Sequence, residues 1–336
     1  MERLTDTCDV SHQSEIHLHQ FLTMVSLDND EASTLQLAKD FCYQSDSSLD
    51  HRLALELFYV NGCEKELRDF IEINRQSVLY INRQTATLYE LMVDGRNYQS
   101  IHHIRTFAKS LTCDQPELAC LRYFLYIELD CSVYNYDQVG YYLNKIQQLL
   151  PKIDNPLLLS FFNMRMHTYL FIYYWKRNEL ILARKHAYEA LQIPNHMKHK
   201  ADLHKYLALS YIYEDFESCI FHIEEAKQMA DRLADKVLFN QITSITHPFI
   251  CAYFGEVDGI HTSDPIEQAH VEIVRGNTNR AKRLLEALRV ITPFTQYYLG
   301  LITKRQHFFI HSYQEFMEKR SDHFFARLPL QAYHMP

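Results

Sequence analysis

Nineteen histidines in a chain of 336 residues make metal ligation the first chemistry to weigh, because neutral imidazole is the commonest protein ligand for zinc and its neighbours. They cluster locally: His196, His199 and His204 fall in one stretch, His102 adjoins His103, and His17 lies close to His19. None sits in His-Glu-x-x-His, and no Glu-x-x-His pair recurs on a second segment, as a di-metal carboxylate site requires. Lys198 and Lys200 stand among the first cluster, and their charge opposes a bound cation. The expectation is exposed or helix-capping histidines, with no metal and no cofactor. Nucleophilic chemistry fares no better. There is no Gly-x-Ser-x-Gly and no Cys-x-x-Cys among eight cysteines, and most of these (Cys42, Cys120, Cys219, Cys251) lie among apolar neighbours where a reduced thiol acts as a small hydrophobe. With no catalytic residue to name, an enzyme is not expected, and unpaired thiols suit a cytoplasmic setting.

Charge and glycine narrow the partners. Thirty-four Lys and Arg against 42 Asp and Glu leave a formal net charge of −8, a sign that opposes non-specific nucleic-acid binding. The first twenty residues hold Arg3 alone besides histidine, against four acids. Seven glycines, about 2% of the chain against a usual ~7%, supply neither phosphate-gripping loop motif. Met1 to Asn29 lacks the basic start and apolar run of a signal peptide. The longest purely apolar run, Tyr169 to Trp175, is seven residues, far short of the ~20 that span a bilayer.

The elements that must position any site are helices. Helix-period patterning runs through Arg52–Phe58 and on through Leu67, Phe70 and Ile71. Starts are marked by an acid, amide or hydroxyl before proline: Asp264-Pro265, Asn155-Pro156, Thr292-Pro293, and Asp114 ahead of Pro116. Proline suits the first helical turn because its missing N–H has no partner there anyway. Strand-like alternation with hairpin turns is missing, so the class is all-α. Several units share an aromatic-rich helix, a short polar turn and a helix with small residues at a fixed offset. Their turns read Arg96–Ile101, Tyr134–Val139, Arg177–Leu180, Glu214–Glu217 and Arg275–Thr278. Aligning the residue after each turn gives Ile101, Val139, Ala183, Cys219 and Ala281, spaced by 38, 44, 36 and 62. The last step hides an irregular pair around Pro248. Units of this size match a tetratricopeptide-like helical repeat solenoid, with Leu170, Phe171, Tyr174, Ala183, Ala187 and Ala190 at the packing positions. Scarce glycine then suggests turns that need little left-handed backbone. The run Tyr169–Trp175 could line a peptide groove, although core packing suits most of it better.

Three stretches resemble the arbitrium receptors (AimR family) of temperate Bacillus phages. They are Leu37–Cys42 with His51–Glu56 and the helix to Phe70; the repeat through Asp215–Ser218; and Tyr298–Ile302 running into Asp322-His323-Phe324-Phe325-Ala326-Arg327-Leu328-Pro329-Leu330. Together they span roughly residues 12–332, and the final motif is the most specific element. The resemblance implies an intracellular tetratricopeptide-like receptor for a hexapeptide that governs the lysis–lysogeny choice through transcription. It implies that Asp322 and Phe324 help grip the peptide and that Lys198 is the basic position able to meet the peptide carboxylate.

Departures from the family are also implied. Residues 1–48 look like the remnant of an N-terminal helical module without a complete helix-turn-helix, with Val10–Phe21 as its trailing edge, and 49–336 form the peptide-binding domain. DNA is thus a partner only where that module is present. The asparagines that relatives present to the peptide backbone read Phe171, Trp175 and Leu209 here, predicting a more apolar pocket. Homodimerisation, a family property, is in doubt because little chain follows Pro329. The alternative function is a protein–protein adaptor of tetratricopeptide type that binds neither free peptide nor DNA.

Overall fold

A computed structural model describes residues 16–94 and 101–334. Its helices follow one another largely as hairpins: α1 (Leu18–Val25) with α2 (Glu31–Gln44) and α3 (Ser48–Val60) with α4 (Glu64–Arg75), after which come α5 (Tyr80–Asp94), packed on α4, and α6 (Ile101–Ser110). They continue as α7 (Pro116–Ser132), on which α5 and α6 both pack, with α8 (Val139–Leu149), α9 (Pro156–Lys176) with α10 (Leu180–Leu191), and α11 (Met197–Ser210) with α12 (Phe216–Arg232). Beyond these come α13 (Lys236–Gln241), α14 (His247–Phe254), α15 (Pro265–Val274), α16 (Thr278–Glu286), α17 (Pro293–Thr303), α18 (Gln306–Gln314) and α19 (Arg327–Tyr333). No strand occurs among the described residues. The class is all-α and the architecture is a helical repeat solenoid.

Local chemistry sets the helix starts. Asp264 accepts from the N–H groups of Ile266 and Glu267, Asn155 from Leu158 and Thr292 from Thr295, each just ahead of a proline in the first turn. These bonds satisfy donors that a helix cannot pair internally. The repeat register also holds. Val139, Ala183, Cys219 and Ala281 are fully buried at the start of the second helix of their pairs, and Ile101 is half-buried. Ala183, Ala187 and Ala190 are likewise buried, so that α10 lies close along α9. The turn read at Arg96–Ile101 falls outside the described residues up to position 100, as do residues 1–15 of the expected N-terminal remnant. From that remnant α1 and α2 are described, and both pack against α3, the backbone N–H of Leu18 donating to Asp50 at 3.0 Å.

The 62-residue step holds one long extra helix. There α13 passes through a π turn at Ile242–Thr246 into α14, which carries Pro248 in its first turn. Proline cannot donate to the carbonyl four residues back and its ring crowds that carbonyl. The displaced Ser244 carbonyl instead accepts from the Thr262 hydroxyl at 2.5 Å, which lets the helix run on with a bulge.

Two expectations need correcting. Left-handed backbone is common in the turns: Tyr134, Asn178, Asn195, Ala234, Lys304 and Ser321 adopt positive φ, as do Gly62, Gly255, Gly259 and Gly276. Glycine is scarce because other residues carry the strained conformation, not because the turns avoid it. The histidines of the 196–204 stretch are also not exposed caps. His196 is fully buried with Nε2 3.1 Å from the Ala190 carbonyl, His204 is buried with Nδ1 3.0 Å from Nδ1 of His222, and His199 Nδ1 lies 2.9 Å from the Val60 carbonyl.

Burial, followed by the nearby His199 and Lys200 charges, pushes His196 down to about 3. Burial likewise pushes His204 and His222 down to about 4. In the unfolded chain these rings titrate near 6.5. Between the two values the unfolded state binds more protons, so stability falls as pH drops below about 6.5. The thermal midpoint is expected to fall between pH 7 and pH 5.5, with His196 alone costing about 1 kcal/mol at the lower pH. A midpoint that stays flat over that interval would contradict the burial of these neutral rings.

Candidate functional site

The array curls enough for α3 to reach α9 and α11. Asn61 donates to the Asn195 carbonyl at 2.8 Å and accepts from the Met197 N–H at 3.1 Å. Beneath that closure four inner helices meet at Arg165 of α9, which is fully buried. Its Nη1 lies 3.1 Å from Glu56 of α3 and its Nη2 2.7 Å from Glu128 of α7. The hydroxyls of Tyr59 and Tyr169 donate to Glu128 at 2.5 and 2.8 Å, and Tyr89 of α5 donates to Glu56. Phe124 and Tyr59 cover the guanidinium, 4.3 and 5.0 Å away. Burial pushes the Glu56 carboxyl up to about 7, opposed by Arg165 and reinforced by Glu128. Arg165 and Glu56 are sealed from solvent while Glu128 is 17% exposed, and the cluster ties the inner helices together.

The C-terminal motif builds the site's second wall. After α18 the chain passes a π turn at Glu315–Lys319 and reverses at Ser321 with φ 51°. The segment then docks on the end of α9. His323 N–H donates to the Lys176 carbonyl at 2.8 Å, and the Asp322 N–H donates to the Phe316 carbonyl at the same distance. Asp322 is buried: Oδ2 accepts from Lys176 Nζ at 2.7 Å and Oδ1 from the Phe325 N–H at 3.1 Å. The Lys176 ammonium also lies over the rings of Trp175 and Phe325, at 4.0 and 4.5 Å. Burial lowers the affinity of Lys176 for its proton, and Asp322 offsets only part of that.

Phe324 is fully buried between Trp175 and Tyr213, with centroids at 5.5 and 4.8 Å, and its carbonyl accepts from the Tyr213 hydroxyl at 3.1 Å. Arg327 stacks 3.9 Å above Tyr213. Phe171 and Trp175 stack at 5.6 Å and are buried, while Leu209 is half-buried. Of these positions Trp175 is covered by the chain's own C-terminal segment, through Phe324 and Phe325.

Lys198 lies elsewhere. It stands in the first turn of α11, with Nζ 2.8 Å from Asp235 and 3.7 Å from Asp202, and its stem lies against Gly62, where an added Cβ would come within 2.8 Å of Cδ. At 1.5 Å per residue it is about 18 Å along the helix from Ser210, beyond which the chain turns to Tyr213. The structure therefore brings Asp322 and Phe324 together but not Lys198 with them. Between the two ends α11 carries a polar stripe. Lys205 Nζ donates to Asp202 at 2.8 Å and to Gln241 of α13 at 3.3 Å. Burial pushes Asp202 up, but Lys205 and Lys198 outweigh it and hold the carboxyl below its ordinary value. Gln241 also lines an open depression of about 490 Å³ with Asn240, Ser244 and Asp264.

Arg327 falls within the terminal motif without a role assigned to it, whereas Lys176 and Tyr213 had no signal in the sequence. A basic residue in the last turn of a helix is ordinary dipole chemistry, and the Asp322 partner of Lys176 is 146 positions away.

No described helix is long and apolar enough to cross a membrane. No curated protein matches the chain. Among solved structures it is similar to ligand-bound phAimR, with a TM-score of 0.79 and 17% identity over 94% of this chain and 95% of that one. It is similar too to selenomethionine phAimR, at 0.71 and 18% over 94% and 84%. At such identities the likeness establishes the fold. The model of the AimR transcriptional regulator-like family matches residues 34–334, which is most of the chain, and the chain therefore belongs to that family.

Proposed function

We propose that this protein is an intracellular receptor for a short linear peptide and that it regulates transcription, acting in a phage setting on the choice between lysis and lysogeny. Family membership and the fold shared with ligand-bound phAimR support a ligand-responsive regulator rather than an enzyme. The observation that carries the peptide reading is the spacing of the two ends of α11. From Lys198 to Ser210 α11 rises about 18 Å, the span of about five or six extended residues, and the Phe324–Tyr213 contact lies just past that end. The Lys198 ammonium suits a terminal carboxylate at one end, and the aromatic wall suits an apolar side chain at the other. DNA contacts and self-association belong to the same proposal. The net charge of −8 favours a dedicated module over the solenoid surface for any DNA contact.

Calorimetry with synthetic hexapeptides, graded from polar and glycine-rich to hydrophobic, tests the proposal. A hydrophobic member is expected to bind saturably, and Lys198→Met should weaken it at least ~10-fold, the loss of one charge-assisted contact. Silence from every peptide at high micromolar concentration would overturn the receptor reading. Recovery of a stoichiometric protein partner from extract would then favour the adaptor, which the self-covered aromatic wall already suits.

A further inference from the structure

The geometry points to a divalent transition-metal site on the α9–α10 hairpin, built from His167, His186 and Glu189. Among the described residues this is the one group of three or more metal-ligating side chains whose ligand atoms converge. His167 Nδ1 lies 3.0 Å from His186 Nδ1, His186 Nδ1 lies 3.0 Å from Glu189 Oε2, and His167 Nδ1 lies 3.1 Å from the same oxygen. The three atoms form a nearly equilateral triangle. A shared proton can bridge one edge of such a triangle, but it leaves another pair of electron-rich atoms in contact. A cation above the face satisfies all three at once.

The dimensions suit a metal. An ion about 2.05 Å from each ligand atom would sit about 1.1 Å above the triangle and subtend angles of about 95°, the arrangement of a two-histidine, one-carboxylate facial triad. Opening each edge by about 0.3 Å would give the tetrahedral angles zinc prefers. Two imidazoles and a carboxylate form a donor set for Zn²⁺, Co²⁺ or Ni²⁺ rather than for the oxygen-seeking Mg²⁺ or Ca²⁺. The side chains are 23%, 16% and 38% exposed, so an ion can enter and water can complete its shell.

The surroundings hold the ligands in place. Tyr174 stacks on His186 at 5.7 Å with the rings 12° apart, fixing that imidazole. Lys185 opposes a cation by its charge. It lies 3.8 Å from Oε1, the carboxylate oxygen not needed for the metal. His186 and Glu189 share one face of α10 because they are three residues apart. His167 meets them because the antiparallel α9 passes alongside. The similar His204–His222 pair, at 3.0 Å, has Tyr188 on its far side and no carboxylate, and forms no such triad. A bound ion would clip α9 to α10, the hairpin whose far end carries Trp175 and Lys176.

Chelator-stripped full-length protein titrated with Zn²⁺ by calorimetry, and with Co²⁺ by visible absorption, tests the site. One equivalent is expected to bind, Co²⁺ developing ligand-field bands of an N₂O donor set, and saturating Zn²⁺ should raise the thermal midpoint. His167→Ala, His186→Ala and the surface change Glu189→Gln should each weaken binding ~100-fold or more, while His102→Asn with His103→Asn leaves it unchanged. The wild-type titration is decisive even if a variant misfolds. Absence of saturable binding, or stoichiometric binding that survives loss of both His167 and His186, overturns the site and leaves a hydrogen-bonded trio.

Discussion

Arg165→Ala is expected to lower the free energy of unfolding by about 3–5 kcal/mol, the cost of removing one partner from a buried ion cluster. The guanidinium is fully buried and faces two carboxylates, so its loss leaves Glu56 and Glu128 facing each other without a cation. Three tyrosine hydroxyls donate to these acids but carry no charge to balance them. The cluster also spans α3, α5, α7 and α9, so its failure should loosen the closure through Asn61 as well. Urea denaturation followed by circular dichroism measures the loss. Adding Glu128→Gln to Arg165→Ala should restore part of it, since burial already drives Glu56 toward its neutral form and a neutral glutamine at 128 needs no counter-charge. A single-variant loss under 1 kcal/mol, or no recovery in the double variant, would mean that the cluster tolerates an unpaired carboxylate and does not hold the inner helices.

Glu56 also illustrates where sequence reasoning stops. The stretch Arg52–Phe58 reads as an amphipathic helix, yet α3 is enclosed from several sides and Leu53 through Phe58 are all buried. Amphipathic period predicts one buried stripe, and a helix at the closure of a curled array has no free side to give its polar residues. Legible features were those governed by neighbours in sequence. Proline-marked starts with their caps, the small residues at the start of each second helix and the irregularity at Pro248 all follow from local backbone chemistry. The pairs that organise the site join distant residues: 109 positions separate Glu56 from Arg165, and 146 separate Lys176 from Asp322. Asp322 and Phe324 drew notice through the terminal motif, whereas Lys176 had no motif to mark it. The His167–His186–Glu189 trio escaped because its spacing matches no metal pattern until α9 and α10 lie side by side.

Asp322→Asn should be nearly as costly, about 3 kcal/mol, because it strands the Lys176 ammonium among Trp175, Tyr136 and Phe325 with no counter-charge. The consequence is local as well as global. The segment around Asp322 is held by that ion pair, by the His323 bond to the Lys176 carbonyl and by the burial of Phe324. Weakening the pair should free the segment to leave the aromatic wall, loosening the backbone at the already exposed Lys319 and at Arg320 so that trypsin cuts there well before the rest of the chain unfolds. Lys176→Met combined with Asp322→Asn removes both charges and should regain stability over Asp322→Asn alone, with the methionine still packing on Trp175. The peptide proposal makes these variants diverge in function. If Asp322 must turn from Lys176 to the peptide, the double variant will be stable yet bind peptide at least ~10-fold more weakly, the loss of one charge-assisted bond. Full binding by the stable double variant would assign Asp322 to holding the C-terminal segment alone, and peptide recognition would then rest on the aromatic wall and Lys198.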